Sequence, residues 1–77
     1  MNTEIAHQQD EEVEFIRLPD VRKITGLGPT KIYGMIKDGL FPAQIPLGGT
    51  AVGWVKSEVR AWCKHRIEMA RNHPEAA

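Results

Sequence analysis

A single cysteine, Cys63, in 77 residues excludes an internal disulfide framework, so the fold must rest on packing alone. That suits a reducing compartment. No apolar run approaches the roughly 18 residues needed to span a bilayer, and the N-terminal stretch has no apolar core of signal-peptide type. The sequence therefore predicts a soluble, cytoplasmic protein with no membrane partner. Aromatic residues are few: two Trp, two Phe and one Tyr. Trp54 and Trp62 are expected in the core, between a hairpin and the last helix. At this length one domain is expected, and a domain so small buries only about 60% of the surface its unfolded chain exposes.

Groupings that carry chemistry are also missing. Cys63 and His65 stand two apart on an expected helix, so they point to different faces and cannot share a metal. His7 and His73 fall in expected tails. No base stands at helical spacing from Cys63, and no paired carboxylates line one face. Gly26-Leu27-Gly28-Pro29-Thr30-Lys31 looks like a fragment of a phosphate loop, but it lacks the spacing of either glycine motif and follows no buried strand. The expectation is a protein that is not an enzyme and takes neither metal nor cofactor.

The zero net charge conceals a division. Residues 1–14 hold Glu4, Asp10, Glu11, Glu12 and Glu14 with no Lys or Arg, a charge of −5. From Phe15 to His73 there are ten basic residues against Asp20, Asp38, Glu58 and Glu68, a charge of +6. A basic domain behind an acidic tail has the electrostatic footprint of polyanion binding. Residues 1–12 lack hydrophobic periodicity and are rich in Gln, Glu and Asp, which predicts a disordered tail. The domain is expected over 13–71, with 72–77 as a C-terminal tail.

Within the domain, Val13, Phe15 and Ile16 suit a short edge strand. Pro19 suits the first turn of a helix, Val21, Ile24 and Leu27 form its inward stripe, and Gly26 ends it. A second helix is expected with Gly28 as cap and Pro29 as first residue, burying Ile32, Met35 and Ile36, with Leu40 beyond Gly39 closing over its end. Ile45 to Trp54 reads as a hairpin around Gly48-Gly49, with Ile45, Leu47, Val52 and Trp54 all inward and Pro42 and Pro46 restricting the ribbon to an edge. Ser57-Glu58-Val59 starts a third helix with Val59, Trp62, Cys63 and Ile67 on one stripe, ending at Asn72 and Pro74. The fold class is mainly α with a small β-hairpin, a winged helix-turn-helix, in which two helices joined by a tight glycine turn precede a β-ribbon.

That arrangement docks double-stranded DNA. It makes Thr30, Lys31, Gly34 and Lys37, with Tyr33 at the boundary, the reading face of the second helix. Pro29 at its start and Arg22 and Lys23 on the neighbouring helix stand beside them. Gly48, Gly49 and Thr50 at the hairpin tip would let a wing approach the phosphate backbone.

These elements together resemble the AlpA-like phage regulatory proteins, small relatives of the excisionases and of MerR-type winged helix domains. The resemblance runs from about Phe15 to Arg66. It is carried by Arg17-Leu18-Pro19-Asp20-Val21, Thr25-Gly26-Leu27, Ile32-Tyr33, Ile36-Lys37-Asp38-Gly39, Phe41-Pro42, Leu47-Gly48, Val52-Gly53-Trp54, Ser57-Glu58-Val59 and Ala61-Trp62. It implies a DNA-binding transcriptional regulator, or a recombination directionality factor of excisionase type, encoded on a prophage or integrative element. The chain departs from the family pattern at three places. The turn has Gly28 and Pro29 where a serine and a basic residue are usual, Gly34 stands where arginine is common, and Thr50 replaces a basic wing residue. Each departure removes a contact to DNA and lowers salt dependence, which favours cooperative self-association on repeated sites. It also leaves open a second function, a protein-binding modulator docking on an integrase, a repressor or a signalling protein.

Overall fold

In a computed structural model, residues 13–72 are described, so the expected acidic tail over 1–12 lies outside the described residues, as do 73–77. The elements are β1 (Phe15–Ile16), α1 (Leu18–Thr25), α2 (Pro29–Lys37), β2 (Ile45–Gly48), β3 (Ala51–Val55) and α3 (Lys56–Asn72). The strands form an antiparallel sheet in the order β1-β3-β2.

The core draws one residue from nearly every element: Ile16 from β1, Val21 from α1, Ile32 from α2, Phe41 from the following loop, Trp54 from β3 and Val59 from α3. Full burial of such side chains stabilises by about 1.5–3 kcal/mol each before entropy is counted. β2 contributes none, and it is an edge strand, where Pro46 gives up no inner ladder bond. β2 is thus held by β3 on one side and free on the other.

The helix-turn-helix corner is built from local chemistry. Pro19 sits in the first turn of α1, and Gly26 ends the helix in the left-handed region at φ 76°, which a side chain would oppose. The Thr25 hydroxyl donates to the Val21 carbonyl at 2.8 Å and accepts from the Leu27 N–H at 3.1 Å, so one side chain clamps the helix end and the turn. Gly28 then caps α2 with extended backbone, and Pro29 enters it as a first-turn residue.

Three expectations fail. Leu40 does not close over α2. Its N–H donates to the Met35 carbonyl at 2.7 Å and the Gly39 N–H to that of Ile36 at 3.0 Å, but its side chain is 63% exposed. The loop is instead closed by Phe41, which is buried and meets the Trp62 ring edge-on at 4.8 Å. Ile45 and Leu47 do not share a face with Trp54. Ile45 pairs with Gly53 and Ile16 with Trp54, and directly opposed residues share a face. Alternation puts Leu47 on the same face as Ile45, where a Cβ at Gly53 would fall 2.8 Å from the Leu47 Cδ1, opposite Trp54. Ile67 is also exposed: among the described residues of α3 the buried one is Val59, near the start of the helix.

Candidate nucleic-acid interface

Every residue expected to contact a partner is exposed: Arg22, Lys23, Pro29, Thr30, Lys31, Tyr33, Gly34, Lys37, Gly48, Gly49 and Thr50. In α2 the division is clean. Ile32 is fully buried, Met35 and Ile36 pack partly against the core, and Thr30, Lys31, Gly34 and Lys37 face away from it. The helix is therefore pinned by one stripe while the other is exposed. Tyr33 marks the boundary, its ring tilted at 6.2 Å from that of Trp54. Since Trp54 belongs to β3, the same contact locates α2 beside the strand that carries the hairpin. Trp54 is fixed in turn by donating its indole N–H to the Pro42 carbonyl at 3.1 Å.

Arg22 and Lys23 come together with Pro19, Gly26, Leu27 and Gly28 around a shallow depression of about 360 Å³ at the foot of α2. Lys23 also borders a separate groove on the far side of α1, with Glu14, Asp20, Lys56 and Arg60. The hairpin tip is a two-residue loop of Gly49 and Thr50 between the paired Gly48 and Ala51. Both glycines have positive φ, 118° and 59°, so the sharp tip depends on the missing side chains, which also lets it come close to a surface. Ten basic and five acidic residues fall within 13–72, and among the described residues the ion pair is Lys56 with Glu14 at 3.6 Å, away from α2. Arg22, Lys23, Lys31 and Lys37 are thus left to the solvent or a partner.

Sequence reasoning did not single out Phe41 as core or Thr25 as the clamp of the turn. Phe41 stands outside any periodic segment, where spacing says nothing about burial. A Thr at a helix end followed by glycine was the available signal for the second.

Short helices meeting at a glycine turn, followed by an edge hairpin with a bare tip, define the winged helix-turn-helix class. The family model described as prophage CP4-57 regulatory protein (AlpA) matches residues 14–67, and the chain belongs to that family of phage regulatory proteins. It is 47% identical over 53 residues to the uncharacterized protein ORF88 of Enterobacteria phage P4, an alignment covering 69% of this chain and 60% of that relative. No solved structure matches the chain. Among the described residues no helix is long and apolar enough to cross a membrane, and no group of three or more His, Cys, Asp or Glu is placed to hold a metal ion.

Proposed function

We propose that this protein is a sequence-specific DNA-binding regulator of a prophage or integrative element, acting in the cytoplasm as a binding protein rather than an enzyme. The observation that carries the reading is the division of α2, with Ile32 buried and Thr30, Lys31, Gly34 and Lys37 exposed on a helix fixed beside the hairpin. In this reading the N-terminal half of α2 enters the major groove, Thr30 and Lys31 meet base edges, and Lys37, Arg22 and Lys23 meet phosphates. The bare tip at Gly48-Gly49-Thr50 rests on the adjacent backbone. A single small module buries about 600–1,000 Å² on DNA, so several copies on repeated sites would reach useful affinity together. The same geometry suits a directionality factor that shapes DNA for an integrase.

Sequencing duplex fragments retained by the purified protein tests the reading. A recurring motif supports it, and fragments without any common sequence contradict it. Adding the protein to an excision reaction with the cognate integrase separates the directionality role from transcription control. A protein-binding modulator is favoured by one observation: Gly28, Pro29, Gly34 and Thr50 are all exposed, so the face offers few cations for its size. A stoichiometric protein complex with no retained DNA would favour that reading.

A further inference from the structure

Away from α2, the groove bordered by β1, α1 and the start of α3 has a volume of about 350 Å³ and carries Lys23, Lys56 and Arg60 against Glu14 and Asp20. It adjoins a second groove of about 590 Å³, the two sharing Ile24 and Arg60. The second is lined by Ala61, Cys63, Lys64 and Ile67 along α3, an apolar floor edged by cations. Together they make a channel that follows α3 from Lys56 to Ile67, roughly 16 Å at the helical rise.

The described chain begins at this channel. The Lys56 N–H donates to the Glu14 carbonyl at 2.8 Å, and the Lys56 ammonium pairs with the Glu14 carboxylate at 3.6 Å. Glu14 therefore stands at the lip, and twelve residues precede Val13. Those twelve hold Glu4, Asp10, Glu11 and Glu12 with no Lys or Arg, and they also carry Ile5 and Ala6. The stretch from Ile5 to Val13 spans up to about 30 Å when extended, more than the length of the channel. In sequence the acidic triplet stands nearest Glu14, on the side of the channel that holds Lys23 and Arg60, and the apolar Ile5 stands farther from it.

We propose that this channel is a docking surface for an acidic peptide, and that its occupant is the chain's own segment Ile5–Glu12. This rests on the DNA-binding reading for its consequence, because Lys23 belongs to both the channel and the DNA face. Docking draws Lys23 away from phosphates, and a tethered segment acts at an effective concentration in the millimolar range. Binding to random DNA, which is almost wholly electrostatic, is suppressed more than binding to a specific site.

The test compares full-length protein with full-length D10N/E11Q/E12Q. Amide shifts measured by NMR in low salt should differ between the two at Lys23, Ile24, Arg60 and Cys63, independently of protein concentration, and converge in 0.5 M salt. Differences confined to the residues beside the substitutions would overturn the proposal, and so would differences that grow with concentration, which would make the occupant a neighbouring copy's segment. On random duplex DNA in low salt, the variant should bind roughly threefold tighter or more. Equal affinity there, with the shift differences present, would overturn the competition. The NMR comparison contains no DNA, so failure of the DNA-binding reading leaves its outcome intact.

Discussion

Gly34 lies in the middle of α2, where glycine costs roughly 0.5–1 kcal/mol relative to alanine. A Cβ built there meets nothing within 4 Å, and the residue is exposed with helical neighbours on both sides. The fold therefore has no use for the missing side chain. Gly34→Ala should stabilise the protein by about 0.5–1 kcal/mol, since alanine also narrows the unfolded ensemble. For a domain of this size that raises Tm by roughly 2–8 °C. Urea denaturation followed by tryptophan fluorescence should show a higher midpoint at unchanged slope. Function accounts for the glycine only if a partner approaches that spot closely, so the same substitution should weaken DNA binding several-fold. A stabilised variant with wild-type affinity would show that nothing approaches Gly34. A variant no more stable than wild type would contradict the helical account itself.

Further outcomes follow from the packing. Gly53→Ala should destabilise by roughly 1–3 kcal/mol, because a Cβ there falls 2.8 Å from Leu47 Cδ1 and 3.0 Å from the Ile16 carbonyl oxygen, as thermal denaturation would reveal. Trp54→Ala removes the largest fully buried side chain and should cost about 3–5 kcal/mol, enough to abolish the cooperative transition seen by circular dichroism. Trp62→Phe keeps a ring against Phe41 but loses the indole N–H donated to the Leu40 carbonyl at 2.8 Å, and should cost about 1 kcal/mol in urea denaturation.

Residues whose role is set locally were legible in the sequence. Gly26 as the left-handed stop of α1, Pro29 behind the Gly28 cap, and the Ile32–Met35–Ile36 stripe all follow from backbone sterics or helical period, and the structure has them so. The same locality exposed the outer face of α2. What depended on pairing between strands was not legible. Alternation alone gives each strand two faces without saying which face is shared, so Leu47 was assigned to the wrong side of a bulged ladder. Leu40 and Phe41 are adjacent apolar residues after Gly39, and only the position of Trp62 on α3, far along the chain, decides that Phe41 turns inward. The channel beside α3 was invisible for a similar reason, since Lys23, Lys56 and Arg60 converge with Glu14 and Asp20 only through tertiary packing.

Recognition through α2 is tested most directly at Lys31. Anisotropy titrations of wild type and Lys31→Ala, on a duplex selected by the protein and on random duplex over a range of salt, measure its part in recognition. The expected result is a loss of about 1–3 kcal/mol on the selected duplex and a smaller loss on random DNA, with the fold intact by circular dichroism. Unchanged affinity for the selected duplex, or an equal loss on both, would contradict the placement of α2 as the reading helix.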